Sequence, residues 1–242
     1  TGKSNLCENR YRSGQRVLGA FSEYVSVRPE QLLVIPDSLP LEQAALTEPL
    51  ACCIRSLKKT NVCLGSSLLI IGVGTMGLLH VKAAAAMGVQ VLVNDIAPER
   101  VRAALASGAD AGFDTTDQRD LVAAVKEVTG GHGVDGCIIT TVGAEAVATV
   151  LAPGGTLNIF TSYPDSPILP IDMNTIHRNE FHITGTEGRE QEDFYTAMRA
   201  MVNRKVNVED LISNIYPIEQ AAEAMEEALS GRSYRVLLKM EC

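Results

Sequence analysis

The chain has 242 residues, of which 46% are hydrophobic and 21% charged, a composition that supports a sizeable globular core. Its formal net charge of −8 argues against a nucleic-acid backbone as partner. Gly, His and Lys interrupt the apolar runs before they reach the roughly 18 residues that a membrane span needs, so we expect no membrane partner. Six scattered cysteines without a paired framework favour a reduced, cytoplasmic protein.

The first zone, residues 1–46, is rich in β-branched and turn-forming residues, as in GAFSEYVSVRPEQLLVIPD. We expect short strands there, closed by Pro36 and Pro40, because proline rarely continues a strand. The sequence starts on Thr, and its polar beginning lacks the apolar stretch of a signal peptide. We therefore expect that an upstream segment has been cut or omitted.

The second zone, residues 47–188, alternates apolar strands with amphipathic helices. Strands separated by helices of roughly 10–15 residues pair in parallel, since parallel neighbours require a crossover. The pattern predicts an α/β fold with a doubly wound parallel sheet. Strands are predicted near 66–72, 90–95, 111–113, 134–140, 155–161 and 181–186, and helices near 76–88, 98–107, 118–129 and 144–151.

The third zone, residues 189–242, holds two predicted helices, near 190–203 and 218–229. A closing strand is predicted in the segment YRVLLKM. The sequence contains no internal repeat and no low-complexity linker.

A glycine-rich turn follows the first predicted strand of the sheet, where LLII leads into Gly72, Gly74 and Gly77 in the spacing GxGxxG. In this motif the first glycine permits a tight turn, the second lets backbone approach a pyrophosphate, and the third lets helix and strand pack closely. The following helix directs N–H groups and the positive end of its dipole at the phosphates. We expect Gly72, Gly74, Thr75, Met76 and Gly77 to bind a dinucleotide; a turn that merely packs a helix is the alternative.

Asp95 lies at the end of the next predicted strand, where a carboxylate can accept hydrogen bonds from ribose hydroxyls. The same charge would repel the 2′-phosphate of NADP, and Arg100 and Arg102 on the next helix could offset it only in part. We therefore expect NAD, with Arg100 among the cofactor-binding residues. A methyltransferase would typically carry an acid just before the glycines, where this chain reads SSLLII.

The chain resembles, essentially end to end, the later two-thirds of a medium-chain, zinc-containing alcohol dehydrogenase, in particular the sorbitol (polyol) dehydrogenase branch. The resemblance is carried by NLCEN, GAFSEYVSVRPEQLLVIPD, ALTEPLA, GVGTMG, VND, TTVGAEA, APGGTLNIF, ITGT and YPIEQAAEAMEEA. It implies that residues 1–46 end a GroES-like catalytic β domain, that residues 47–188 form a Rossmann NAD-binding domain, and that residues 189–242 return to the catalytic domain.

The resemblance implies an oxidoreductase that transfers a hydride between a secondary alcohol, such as a polyol or sugar alcohol, and NAD, with zinc polarising the alkoxide. The zinc ligands of such enzymes, a Cys and a His–Glu pair, would precede residue 1, so no catalytic residue is assigned in this chain. Glu48, in TEPLA, matches a residue that lies at the metal in the polyol branch. From the residues alone, Glu48 is equally an acid that complements the start of a helix.

Candidate contacts to the nicotinamide lie where later strands end. In relatives these strand ends supply backbone groups and hydrophobic walls, which implies roles for Val142, Phe160, Thr161, Thr184 and Gly185. Ordinary strand-to-loop turns are the alternative, in particular for Thr161 and Thr184.

An open edge is expected at the sixth predicted strand, next to the apolar segment SPILPIDMN. Pairing of two such edges would bury both features, and relatives commonly associate this way, which implies a homodimer or homotetramer. Two other functions stay open: a truncated, non-catalytic NAD-binding protein, and a zinc-free enzyme of the quinone reductase type.

Overall fold

The computed structural model describes residues 3–8, 21–27, 29, 32–143, 147–165 and 167–240. The chain divides into two compact units. The continuous unit is Glu48–Ala197, and the split unit combines Thr1–Thr47 with Met198–Cys242. Among the described residues, no helix is both long enough and apolar enough to cross a membrane.

The continuous unit is built around a six-stranded sheet in which every neighbouring pair of strands is parallel. Across the sheet the strands follow the order β3-β2-β1-β4-β5-β6, which is that of the doubly wound dinucleotide-binding fold. The predicted α/β fold is thus confirmed. The strands are β1 Ser67–Ile71, β2 Gln90–Asn94, β3 Ala111–Phe113, β4 Val134–Ile139, β5 Leu151–Ile159 and β6 His182–Gly185.

Helices connect the strands of this sheet, as parallel pairing requires. In chain order the α-helices of the described residues are α1 Leu41–Ala44, α2 Thr47–Thr60, α3 Thr75–Ala86, α4 Pro98–Ala106, α5 Gln118–Val128, α6 Met173–Asn179, α7 Gln191–Val202 and α8 Ala221–Leu229. Strands covered by helices on both faces become continuous apolar runs. Accordingly, the central strands β1, β2 and β4 are buried almost throughout, which is why the sequence revealed them.

The split unit contains a two-stranded parallel sheet, formed by β7 Ile212–Pro217 and β8 Arg235–Lys239. Helix α8 connects the two strands. Its Glu227 accepts hydrogen bonds of 2.6 Å from the Asn214 amide and the Tyr216 hydroxyl, both on β7. The closing strand predicted in YRVLLKM corresponds to β8, whereas β7 was not predicted. The assignment of this unit to a GroES-like domain stays a prediction.

The strands expected in residues 1–46 do not occur in the described part of that segment. It forms instead a 3₁₀ helix at Ser4–Leu6 and the short helix α1. A β-branched run becomes a strand only where a neighbouring strand pairs with it, and residues 23–27 pair with no strand among the described residues. Residues 9–20, where strands were also expected, lie outside the described part.

Two further boundaries differ from the prediction. Of the helix expected near 144–151, residues 144–146 lie outside the described residues, and Val147–Val150 form a 3₁₀ helix that leads directly into β5. Strand β5 begins at Leu151, before its predicted start near residue 155. The continuous unit extends to Ala197, and the domain boundary at residue 188 stays a prediction. Ion pairs between α2 and Asp193 at the start of α7 hold that helix to the unit.

Candidate functional site

A cavity of about 320 Å³ opens at the carboxyl edge of the parallel sheet. Residues that follow β1, β2 and β4 line it, including Gly72, Asp95 and Val142, together with the loop between β3 and α5. Strand β1 lies between β2 and β4, so the winding of the sheet reverses there. In open α/β sheets, ligands bind at the carboxyl edge where the winding reverses, and the cavity occupies that place.

The first glycine of the turn is required by its conformation and its surroundings. Gly72 has φ +87°, in the left-handed region that side chains rarely adopt. A Cβ atom there would lie 2.8 Å from both Thr140 Oγ1 and Thr141 Cβ. The Gly72 N–H donates a 2.8 Å hydrogen bond to the carbonyl of Asn94, which joins the turn to the end of β2.

The other two glycines differ in what surrounds them. A Cβ on Gly77 would overlap the carbonyl group of Gly72, so this glycine permits close packing of α3 on the turn. A Cβ on Gly74 would meet nothing within 4 Å. Gly74 is the residue before α3 and has no side chain that could cap the helix. Gly74, Thr75 and Met76 are half-buried. The start of α3 therefore leaves open space for a pyrophosphate, as the motif predicts.

Asp95 is held rigidly at the end of β2. Its buried carboxylate accepts hydrogen bonds from two backbone N–H groups, that of Val73 through Oδ2 at 2.8 Å and that of Ala97 through Oδ1 at 3.0 Å. Each carboxylate oxygen can accept a second hydrogen bond, so ribose hydroxyls can still be bound. One guanidinium nitrogen of Arg100 lies 4.0 Å from Oδ2. These residues fit the ribose of a dinucleotide.

The cavity brings together part of the predicted cofactor site. Gly72, Asp95, Arg100 and Val142 line it. The remaining strand-end residues lie at the same edge of the sheet, after β5 or at the end of β6, but they do not line this cavity. These residues are Phe160, Thr161, Thr184 and Gly185, and their contact with the nicotinamide stays a prediction.

His80 supports the turn from inside the core. Its ring is fully buried, with Nδ1 2.8 Å from the Met76 carbonyl, and it packs edge-to-face against Phe160 at 4.8 Å between ring centroids. Burial lowers the pKa of His80 to about 4, so the ring is neutral at physiological pH. The contact joins α3 to the end of β5.

Several lining residues have no counterpart in the sequence prediction. Asn94 and Thr141 lie within the segments VND and TTVGAEA, but neither is assigned an individual role from the sequence. Ile71 ends β1, and the others lie in the loops after β2 and β3 or in α5. The predicted doubly wound fold was the available signal, because its usual strand order places the loop between β3 and α5 beside Asp95. The residues missed are Ile71, Asn94, Ile96, Thr115, Thr116, Asp117, Leu121 and Thr141.

Glu48, the predicted metal ligand, lies in the first turn of α2. Its Oε1 is 3.3 Å from Arg189 Nε and 3.6 Å from Cys52 Sγ. Burial and the Glu48 charge raise the pKa of Cys52 to about 12, so this thiol stays protonated at neutral pH. Within the described ranges no three His, Cys, Asp or Glu side chains could hold a metal ion together. These residues do not fit zinc by themselves, and a ligand role for Glu48 stays a prediction.

Comparison with known proteins identifies relatives along nearly the whole chain. The family described as zinc-binding dehydrogenase matches residues 75–203. Sorbitol dehydrogenase of Bacillus subtilis is 33% identical over 237 residues, which are 96% of this chain and 66% of that enzyme. D-arabitol-phosphate dehydrogenase of Enterococcus avium is 29% identical over 246 residues, or 97% of this chain and 68% of the enzyme.

Solved structures give the same result. A protein of Clostridium scindens assigned as a zinc-binding dehydrogenase superposes with a TM-score of 0.87 at 30% identity, covering 99% of this chain and 67% of its own. A zinc-binding dehydrogenase homologue of Sinorhizobium meliloti, solved with NADP bound, superposes with a TM-score of 0.85 at 25% identity, covering 98% of this chain and 70% of its own. This chain thus spans about two thirds of the length of these relatives. It belongs to the medium-chain, zinc-binding dehydrogenase family, in the polyol dehydrogenase branch.

Proposed function

We propose that the continuous unit binds NAD and that the protein is an NAD-dependent dehydrogenase of polyols or sugar alcohols. The observation that carries the proposal is the cavity at the carboxyl edge, where Gly72 and Asp95 meet. When bound, NAD would supply the acceptor for the hydride that leaves the carbinol carbon of the alcohol. The chain contributes an open helix start for the pyrophosphate and a fixed carboxylate for the ribose.

NAD is preferred to NADP because of the charge at the ribose. Asp95 has a side chain only 6% exposed, and its position is fixed by two backbone N–H groups, so it cannot turn away from a 2′-phosphate. Arg100 contributes a cation at 4.0 Å, which offsets that charge in part. The relative from Sinorhizobium meliloti was solved with NADP, so the preference needs a direct test.

The cofactor proposal is tested by titrating the chain with NADH and NADPH and following the fluorescence of the reduced nicotinamide. We expect NADH to bind more tightly, because NADPH brings a phosphate against the Asp95 carboxylate. Equal or tighter binding of NADPH would contradict the preference. Absence of binding by either would contradict the whole proposal.

The substrate proposal rests on relatives that are named sorbitol and D-arabitol-phosphate dehydrogenases. It is tested on the natural gene product, by following NADH formation with a panel of polyols and simple secondary alcohols. We expect oxidation of polyols, with zinc held by ligands additional to Glu48. Reduction of quinones without oxidation of alcohols would favour the zinc-free alternative.

We also propose a reducing, cytoplasmic location and a homo-oligomer. Cys7, Cys52, Cys53, Cys63 and Cys137 are free thiols in the structure, as expected for a reducing compartment. Strand β6 pairs with β5 along one edge, and in the described residues no strand covers its other edge. An open edge of this kind can pair with that of a second copy.

A further inference from the structure

Asn94 is the last residue of β2 and lines the cavity beside Asp95. Its side chain is buried, and Nδ2 donates two hydrogen bonds of 3.1 Å, to the carbonyl oxygens of Phe113 and Thr115. Phe113 ends β3, and Thr115 lies two residues beyond it. The Asn94 carboxamide therefore joins β2 to the loop that follows β3.

The β3–α5 loop, residues 114–117, forms one wall of the cavity through Thr115, Thr116 and Asp117. Two hydrogen bonds shape it locally: Thr115 Oγ1 accepts from the N–H of Asp117, and Asp117 Oδ1 accepts from the N–H of Arg119 at the start of α5. Strand β3 has three residues and lies at the edge of the sheet. The backbone N–H of Asp95 also donates to the Phe113 carbonyl, at 3.1 Å, so the end of β3 has a second attachment there. The Thr115 carbonyl, within the loop, is bonded to the end of β2 by Asn94.

The strand order indicates which part of the dinucleotide meets this loop. The glycine turn for the pyrophosphate follows β1, and the ribose acceptor Asp95 follows β2. Strand β3 is the next strand in the same direction. A dinucleotide bound along this edge places its adenine at the end of β3, against the β3–α5 loop.

We infer that Asn94 is a positioning residue for the adenosine half of the dinucleotide and that it acts through the β3–α5 loop. The inference rests on the proposed function, because it requires that the cavity binds a dinucleotide. Without the Asn94 amide, the Thr115 carbonyl loses this donor, whereas the Phe113 carbonyl keeps the Asp95 N–H. The loop then has to be ordered when the adenosine binds, and affinity falls accordingly.

The experiment compares the full chain with its Asn94→Ser variant. Each is titrated with NADH and with reduced nicotinamide mononucleotide, which has no adenosine. The ratio of the two affinities measures what the adenosine half contributes. We expect N94S to bind NADH about tenfold more weakly, as loss of buried hydrogen bonds implies, and to bind the mononucleotide within about twofold of the wild type.

Asn158→Ser is the matched control. Asn158 is also buried in this sheet, and its Nδ2 donates to the Ser56 carbonyl and to Thr186 Oγ1, but it does not line the cavity. A general loss of stability, or damage to the nicotinamide side, changes both affinities together. We therefore expect N158S to keep the wild-type ratio.

If folded N94S keeps the wild-type ratio of NADH affinity to mononucleotide affinity, the inference is overturned. It is also overturned if that ratio falls equally in N158S. If wild-type protein binds NADH, such a result leaves the proposed function intact. If wild-type protein binds no NADH, the proposed function and the inference fail together. Should N94S lack the far-UV circular dichroism of the wild type, the uncharged Asn94→Val variant, which is close in size and also lacks the donor, is judged by the same criterion.

Discussion

At the scale of single residues, Asp95 has two tasks. Its carboxylate fixes the glycine turn through the Val73 N–H and fixes the following loop through the Ala97 N–H, and it borders the cavity. A ribose acceptor placed in this way is preorganised, because its orientation is already determined before the cofactor binds. Substitution of Asp95 should therefore affect both the shape of the turn and the charge at the ribose.

We predict that Asp95→Ala narrows the difference in affinity between NADH and NADPH. The substitution removes an acceptor used by NADH and a charge that repels NADPH, so NADH should lose more affinity than NADPH. Paired titrations of variant and wild type measure the change. Asp110→Ala is the control, since Asp110 also holds a backbone N–H of β2, that of Val91, but does not line the cavity. An unchanged NADH-to-NADPH ratio in D95A would count against the prediction.

We predict that alanine in place of Gly77 lowers the stability of the protein, whereas alanine in place of Gly74 lowers its affinity for NADH. Gly77→Ala should destabilise by about 1–3 kcal/mol, because its Cβ overlaps the Gly72 carbonyl and the helix has to move. Gly74→Ala has room for its Cβ and φ −67°, so it should stay within about 1 kcal/mol of wild type. G74A should nevertheless bind NADH more weakly, because the methyl group occupies the approach of the pyrophosphate. Urea unfolding and NADH titration of both variants check this; wild-type affinity in G74A would contradict it.

The sequence predicts the residues of the site that belong to one local motif. The glycine spacing determines the backbone of the turn, and Asp95 follows at the distance that the strand–helix–strand unit requires. Thr115 and Asp117 could not be recognised in this way, and Asn94 lies in the segment VND without its role being apparent. They reach the cavity because β3 lies next to β2, and neither the tie between Asn94 and the loop nor its geometry appears in any short pattern.

At the scale of elements, α7 is held against α2 by a cluster of charges. Asp193 of α7, with a side chain 2% exposed, receives Lys58 Nζ at 2.8 Å and a guanidinium nitrogen of Arg55 at 3.4 Å. It also accepts a hydrogen bond from the N–H of Glu190. Burial alone would raise the pKa of Asp193, but the bonds from Lys58, the Glu190 N–H and Arg55 outweigh burial and lower it.

We predict that Asp193→Asn destabilises the protein at neutral pH and that the difference shrinks in acid. A carboxyl whose pKa is lowered on folding stabilises the fold above its unfolded pKa, about 3.9, and loses that contribution as the pH falls through the folded value. At pH 7 we expect Asp193→Asn to lower the free energy of unfolding by about 1–3 kcal/mol, because Asp193 accepts hydrogen bonds from charged donors. Urea unfolding of variant and wild type at pH 7 and pH 3.5 measures the difference in their free energies of unfolding.

Glu192→Gln is the control for this measurement. Glu192 precedes Asp193 and also approaches Lys58, at 3.4 Å, but its side chain is 81% exposed. Exposed ion pairs contribute little, so E192Q should change the free energy of unfolding by less than about 1 kcal/mol. A difference between D193N and wild type that does not shrink toward pH 3.5 would contradict the prediction.

Most elements of the continuous unit follow from the sequence to within one or two residues, because apolar runs and helical periodicity there reflect real burial. The exceptions have physical causes. In the split unit, residues 23–27 include β-forming residues but pair with no strand of the described part of the chain. Helix α6 was missed because its stability comes from a cap, in which Asp172 accepts from the Thr175 N–H, and not from an apolar face.

At the scale of the whole molecule, the open edge of β6 predicts self-association. Ile168, 86% exposed, and Met173, 82% exposed, lie in the segment that precedes β6, and Ile183 lies on the strand. We expect dimers or larger oligomers at micromolar concentration by light scattering. Ile183→Lys should yield monomers, because a lysine on the edge opposes strand pairing.

Leu64→Lys is the matched control for this experiment, since Leu64 is 82% exposed in the loop before β1. It introduces the same charge away from the edge of β6 and should leave the oligomer intact. A wild-type protein that stays monomeric at micromolar concentration would contradict the prediction.

We predict that the 242-residue chain alone binds cofactor without oxidising alcohols. Three protein ligands and an open position are needed for a catalytic zinc, and Glu48 has no such companions in the part of the chain that the structure describes. An unactivated secondary alcohol is too weak an acid to lose its proton at neutral pH. The assay is NADH formation from polyols, with metal analysis, on protein of confirmed mass. Stoichiometric zinc together with turnover would refute the prediction.

The arrangement of the two units along the chain has a consequence for synthesis. All strands of the six-stranded sheet lie within Glu48–Ala197, whereas the split unit needs Met198–Cys242 to join a segment made much earlier. Closing so long a loop costs more entropy than pairing neighbouring strands, and chains emerge from the ribosome with the N-terminal part first. The continuous unit is therefore able to fold first, and a nucleotide that binds it would stabilise the nascent chain before translation ends.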